Sequence, residues 1–235
     1  MGLTGVREEH ERLPRSEIVY AFLAGIFLTS LTLGNVVGIT KFVDLIWFTI
    51  PVGLLAYPVT FLATDLISEL YGRRRAQLVV WVGFVMNFFM LLLMWLGHYL
   101  PDASGVSGAA TTFDSVFEYM RPNVLASMVA YLIAQTVDVR VFHFWRRLTK
   151  GKHLWLRNNG STIFSQVIDT VTILTILYLS GGLGAEIKSV AALVTLMFDS
   201  YKFKFLFALL DTPLFYLGVY LLRDRFQIVA VEAAA

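Results

Sequence analysis

Residues 58–75, PVTFLATDLISELYGRRR, contain the conflict that decides the fold. The first half is apolar enough to lie in lipid. Asp65 and Glu69 follow four residues apart, so a helix turns both carboxylates to one side. Arg73, Arg74 and Arg75 then end the apolar run. Lipid tolerates a carboxylate only where it faces a cavity, water or a partner, so the two acids mark a functional site. The three arginines mark the end of the helix that stays on the cytoplasmic side.

The rest of the chain has the same character. Of its 235 residues 57% are hydrophobic and 15% charged, and the mean hydropathy is +0.68. A soluble domain carries about 25% charged residues, so the composition is that of a polytopic membrane protein surrounded by lipid. A net charge of +2 gives no footprint for nucleic acid. The absence of cysteine excludes disulfides, thiolate metal sites and cysteine nucleophiles. His10, His98, His143 and His153 are scattered with no partner at ligand spacing, so neither a metal nor another cofactor is expected. No His-Glu-x-x-His or Gly-x-Ser-x-Gly occurs, and the chain is not read as an enzyme.

Apolar runs at 18–39, 46–71, 77–99, 123–144, 160–180 and 203–222 each approach or exceed the ~20 residues that cross the hydrocarbon. The fold class is therefore all-α, with six transmembrane helices. Residues 1–17 form an amino-terminal tail, 18–225 one transmembrane domain, and 226–235 a carboxy-terminal tail. With the amino terminus inside, the inner segments hold 13 Lys and Arg and the outer segments five, Arg140 lying within the fourth span. Both termini are thus expected in the cytoplasm. The loop at 98–121, rich in Gly, Ser, Thr and Asp, is expected as an outer lid. The apolar segment 186–200 is expected as an interfacial or re-entrant helix.

Polar side chains recur inside these spans. Asn35, Asn87, Gln135, Asp138, Gln166, Asp169 and Asp211 join Asp65 and Glu69, and an Asp at a helix centre costs about 2.5–3.5 kcal/mol on insertion scales. So many point to a polar cavity. Gln135-Thr-Val-Asp138 and Gln166-Val-Ile-Asp169 repeat one amide–acid pair at i and i+3, in spans of opposite direction. Carboxylates accept two bonds while amides donate and accept. A guanine-like edge suits that set, with Tyr57, Phe61, Tyr131 and Phe164 available to stack on a flat ring; a cationic amine or a proton suits the acids equally. Structural readings stand beside these. Asp65 and Glu69 can be held by the arginines, Asp138 by Arg140 or Arg146, and Asn35, between Gly34 and Gly38, can belong to a Gly-x-x-x-Gly packing seam. Lys204 can point outward, or inward against an acid.

FLATDLISELYGRRRAQLVVWVGF (61–84), ASMVAYLIAQTVDVRVF (126–142), LWLRNNGSTIFSQVIDT (154–170) and SYKFKFLFALLDTPLFY (200–216) resemble, in order and spacing, the queuosine-precursor transporter family, also called the vitamin-uptake-transporter group. The resemblance runs from about Asn35 to Tyr220. It implies an inner-membrane carrier of six helices, similar to the substrate-binding subunits of energy-coupling-factor vitamin transporters. The implied cargo is a deazapurine: 7-cyano-7-deazaguanine, 7-aminomethyl-7-deazaguanine or queuine. The alternative is a vitamin-binding subunit that docks on an energy-coupling module; self-association into a homo-oligomer is left open. The implied substrate-binding residues are Asn35, Asp65, Glu69, Gln135, Asp138, Gln166, Asp169 and Lys204, and the family pattern also covers Arg157, Ser161 and Thr162. Along their helix Asp65 and Glu69 lie only about 6–12 Å from Arg73 at 1.5 Å per residue. They are therefore expected at the inner wall, with Asp169 at the centre.

Overall fold

The computed structural model describes residues 14–102, 109–150, 154–184 and 187–226. Among them the chain forms α1 (Arg15–Val37), a hairpin of β1 (Phe42–Leu45) and β2 (Phe48–Pro51), and a 3-10 turn at Val52–Ala56. There follow α2 (Tyr57–Tyr71), α3 (Arg73–Tyr99), α4 (Ala109–Leu148), α5 (Leu154–Leu179) and α6 (Val190–Phe226). Four stretches, Arg15–Val37, Val52–Tyr71, Arg74–Tyr99 and Val190–Arg223, are long and apolar enough to cross a membrane. Helices α4 and α5 have 40 and 26 residues, and α4 is the more polar of the two. Gln135, Asp138 and Arg140 interrupt the apolar sequence of α4, and α5 includes the apolar stretch Ile163–Leu179.

Three expected boundaries are corrected. The second apolar run does not enter a helix at Ile46. Residues 42–51 pair as an antiparallel hairpin with Phe42 opposite Pro51 and Leu45 opposite Phe48, which leaves Ile46 and Trp47 as the turn. The local residues explain this: β-branched and aromatic side chains favour a strand, Thr49 Oγ1 donates to Asp44 Oδ1 at 2.6 Å across the ladder, and Pro51 ends the pairing. The expected lid at 98–121 is helical from Ala109 onward, as the start of α4. His98 Nδ1 lies 2.7 Å from Asp114 Oδ1 and ties the end of α3 to that start. The segment 186–200 is no separate re-entrant helix either. From Val190 it is the first part of α6, capped by Ser189, whose Oγ accepts from the Ala192 N–H at 3.1 Å. With no glycine or proline before Pro213, nothing stops the helix, and its 37 residues span about 55 Å.

A seam of close backbone contacts fixes the hairpin to α1. The Gly53 N–H donates to the Gly38 carbonyl at 3.0 Å, and the Val52 N–H to the Lys41 carbonyl at 2.8 Å. A Cβ on Gly53 would collide with the Gly34 carbonyl oxygen and the Gly38 Cα. The Gly34-x-x-x-Gly38 pattern thus packs on this chain's own connecting segment. Beside it Asn35 Nδ2 donates to Asn87 Oδ1 at 2.8 Å, Asn87 Nδ2 to the Gly83 carbonyl at 2.9 Å, and Asn123 Nδ2 to the Asn35 carbonyl at 2.9 Å. These buried amides bind α1, α3 and α4 in a medium that offers no competing water.

At the opposite end, Gly72 (φ 86°) takes a conformation open only to glycine and turns α2 into α3. Arg75 follows. Its Nη1 meets Glu17 Oε1 at 2.8 Å, and its guanidinium lies 5.2 Å from the Tyr20 ring centroid and 5.7 Å from that of Tyr71. The Tyr71 hydroxyl donates to the Ser16 carbonyl at 2.6 Å. Among the described residues neither Asp65 nor Glu69 pairs with an arginine; Arg75 is held by α1 instead. The core beneath is formed by Leu23 and Phe27 of α1, Ala63, Ile67 and Leu70 of α2, and Val79 of α3.

The seam yields a test. Gly53→Ala has only backbone to push against, so its apparent unfolding midpoint in detergent is expected to fall, by the equivalent of about 1–3 kcal/mol. Gly25→Ala, where a Cβ meets nothing within 4 Å, is expected to leave the midpoint unchanged or slightly higher. Equal midpoints for the two variants would contradict the seam.

Candidate functional site

The 3-10 turn delivers Tyr57 as the first residue of α2, with Pro58 behind it in the first turn, where a missing N–H costs nothing. The Tyr57 ring lies 4.3 Å from that of Phe61, tilted by 38°. From α5 come Gln166, Asp169 and Thr170, and from α6 Ser200 and Lys204, one turn apart. The two helices meet through charge. Lys204 Nζ is 2.7 Å from Asp169 Oδ2, with the lysine side chain 3% exposed and the aspartate 22%. The same ammonium sits 4.4 Å from the centroid of the Tyr57 ring. A buried ammonium persists only when a counter-charge and oriented dipoles replace its water. Asp169 supplies the charge and the Tyr57 face the second contact. Lys204 therefore points inward, against an acid.

On the same two helices three polar atoms are sealed from solvent. Gln166 Oε1, Thr170 Oγ1 and Ser200 Oγ have no hydrogen-bond partner among the described residues. Each such orphan costs about 1–3 kcal/mol, and native proteins keep few of them. All three lie within about one turn of the ion pair along its two helices, where a partner from outside the protein would complete the bonding.

A second group of acids lies further from the hairpin. Asp65 is eight residues beyond Tyr57 on α2, and Asp211 seven beyond Lys204 on α6, each about 10–12 Å along its helix. The helices run the same way and pack together, Leu66 seating on Gly218. The two carboxyl groups are close enough for their charges to interact. Asp65 is exposed and Asp211 half-buried, and Glu69, one turn after Asp65, is exposed as well. Carboxylates so placed need a water-filled groove rather than lipid beside them.

Of the eight expected site residues, the structure brings together Gln166, Asp169 and Lys204. Asp65 and Glu69 form part of the second group. Asn35 stands apart, its amide N–H committed to Asn87. Gln135 and Asp138 lie on α4, and their side chains, like those of Arg157, Ser161 and Thr162, are outside the described residues. A cavity of about 380 Å³ between the end of α3 and the start of α4 is lined by His98, Pro101, Asp102, Phe113 and Asp114 among others, and holds none of the eight. Sequence reasoning missed Thr170 and Ser200, although each stands one turn from an expected residue. It named Tyr57 for stacking and overlooked that a lysine occupies its face. That Asp211 answers Asp65 had no signal in the sequence, since the two are joined only by tertiary packing.

Comparison with known proteins places the chain. The family model described as "Putative vitamin uptake transporter" matches residues 51–218, which include Tyr57, Asp65, Asp169, Ser200, Lys204 and Asp211. A Bacillus subtilis (strain 168) protein named "Probable queuosine precursor transporter" is 30% identical over 179 residues, covering 76% of this chain and 75% of its own length. The Escherichia coli (strain K12) "Queuosine precursor transporter" is 28% identical over 129 residues, 55% of each chain. A Haemophilus influenzae protein named "Probable queuosine precursor transporter" is 32% identical over 129 residues, 54% of this chain and 51% of its own. No solved structure matches. With 168 consecutive positions under the family model and a relative aligned along three quarters of both chains, this protein belongs to the vitamin uptake transporter family.

Proposed function

We infer that this chain is a multi-pass bacterial membrane transporter that carries queuosine precursors, with the substrate held between α2, α5 and α6. The observation that carries the reading is the pairing of Asp169 with the buried Lys204 beneath Tyr57, with three polar atoms on the same helices that have no partner among the described residues. The relatives' names supply the cargo, and the chemistry accords with it. A 7-deazaguanine is flat, offers N–H donors beside a carbonyl acceptor, and matches a set of amide, hydroxyl and carboxylate groups. In this reading Asp169 and Gln166 face the ring's polar edge, and Phe61 offers an aromatic face. Lys204 balances the charge of Asp169. Asp65, Glu69 and Asp211 line the route toward the arginine-marked end, and Gln135 and Asp138 contribute from α4. The alternative of a subunit docking on an energy-coupling module loses its supporting feature, because Gly34 and Gly38 pack on Gly53.

The finer topology belongs to the same proposal. Six helices cross the membrane, α4 and α5 included, with both termini in the cytoplasm, the arginine end inside and the hairpin outside. The cysteine-free sequence makes this directly testable. With an impermeant maleimide added to intact cells whose outer membrane has been made permeable, Trp47→Cys at the exposed hairpin turn is expected to label, and Arg74→Cys only after lysis. The reverse pattern would invert the protein.

The site is tested by charge. Asp169→Asn is expected to abolish uptake of labelled 7-deazaguanine precursors. It also strands a buried lysine, so a loss of about 3–5 kcal/mol in stability is expected, which by itself would not prove a transport role. The double variant Asp169→Asn/Lys204→Met removes both charges and is expected to recover the midpoint in detergent without recovering uptake. Uptake at the wild-type rate in either variant would remove the pair from the site.

A further inference from the structure

The ion pair and the orphan atoms differ in what they have left to offer. Asp169 Oδ2 is taken by Lys204 Nζ, and the Tyr57 face is covered by the ammonium. Gln166, Thr170 and Ser200 are 4%, 2% and 3% exposed, and each ends in an oxygen without a partner among the described residues. Thr170 is the most deeply buried of the described threonines. Thr64, Thr136, Thr149, Thr195 and Thr212 each return the hydroxyl to the carbonyl four residues earlier, at 2.8–3.2 Å. That local bond is open to any helical threonine. Thr170 leaves it unmade while buried more deeply than any of the five.

We propose that Thr170 and Ser200, with the Gln166 side-chain oxygen, are specificity-determining groups that read a neutral donor–acceptor edge of the substrate beside Asp169, whose charge Lys204 balances. This rests on the transport reading above and adds to it two residues and the character of the edge. The chemistry is restrictive. Gln166 Oε1 only accepts, so it requires a ligand N–H; the two hydroxyls donate or accept, so each takes a carbonyl or an amine. A lactam or aminopyrimidinone edge carries the N–H, carbonyl and amine that such a set takes. A cation presented there would need a counter-charge, and the acid at hand, Asp169, is already neutralised by Lys204. The substrate feature read is therefore the uncharged ring edge rather than a charged substituent.

The proposal separates from a structural role by the sign of its effect on the empty protein. Deleting a buried hydroxyl that supports the fold destabilises it; deleting one that waits for a ligand relieves an unmet bond. Thr170→Val, nearly isosteric, and Ser200→Ala are the variants, purified in detergent and melted with and without 7-cyano-7-deazaguanine or 7-aminomethyl-7-deazaguanine. Without ligand, midpoints equal to or above wild type are expected. With ligand, each variant is expected to bind roughly tenfold more weakly, the worth of one neutral hydrogen bond, and by the same factor for both compounds because both share the ring edge. Wild-type affinity in both variants overturns the proposal, as does a lowered midpoint without ligand. A loss confined to the aminomethyl compound overturns the assignment to the ring edge. If neither compound stabilises the wild-type protein, the transport reading falls and this proposal with it.

Discussion

A lysine ammonium 3% exposed inside an apolar bundle has to be answered from within the protein, and the rest of the architecture is arranged around that requirement. Asp169 answers it from α5 and the Tyr57 ring from α2, so three helices distant in sequence are registered against one another at a single point. The geometry tolerates little sliding. A one-residue shift of α6 turns Lys204 by about 100° and leaves both charges stranded in low dielectric, at a cost of several kcal/mol. Apolar helices in lipid have weak preferences for register, since one leucine contact resembles the next. The ion pair supplies the preference that apolar packing lacks.

Tyr57 can serve only because its own position is fixed from the other side. Gly53 seats on Gly34 and Gly38 with no room for a side chain, and the turn that follows hands Tyr57 to the start of α2. The hairpin before it is anchored on α6 as well. The Thr49 N–H donates to Asp199 Oδ2 at 3.3 Å, and Phe48 meets Phe203 edge-on at 5.8 Å. Asp199 and Phe203 bracket Ser200 in sequence, and Phe203 adjoins Lys204. The same turns of α6 therefore receive the hairpin on one side and carry the polar cluster on another, which couples the connection between α1 and α2 to the site.

Much of this is legible in the sequence, and the rest is absent for identifiable reasons. Composition alone gives a polytopic all-α membrane chain. Gln166 and Asp169 declare themselves because an amide or an acid within an apolar run is costly to insert unless a partner or a cavity receives it. Lys204 is ambiguous from sequence, since snorkelling and inward pairing look alike until the acid opposite is known. The hairpin escapes notice because IWFTIPVGLLAY (46–57) is uniformly apolar. Hydropathy measures transfer into lipid and is blind to the β-branched, proline-ended character that makes Phe48–Pro51 a strand. The continuity of α6 is hidden by the opposite error, in which Asp199, Lys202 and Lys204 look like an interfacial break. Two of them form a local i, i+3 pair at 3.1 Å, and the third turns inward. Asn35 stands out by the same logic as Asp169, yet its amide closes on Asn87. A polar residue in a span reveals that it needs a partner and says nothing of whether the partner is protein or ligand.

That distinction can be drawn only from the bonding left over. The amides of Asn35, Asn87 and Asn123 each donate to a protein acceptor, and the fold gains rigidity from them. Gln166, Thr170 and Ser200 are as deeply buried, and each ends in an oxygen without a partner among the described residues, a standing instability that a purely structural role gives no reason to carry. Both sets arise from the same physics, in which a polar atom sealed from water must find a complement. One set finds it when the chain folds. The other, placed beside a charge pair that holds its helices in register, finds it when a substrate of matching edge arrives. Binding energy is then largest where the empty protein is least satisfied.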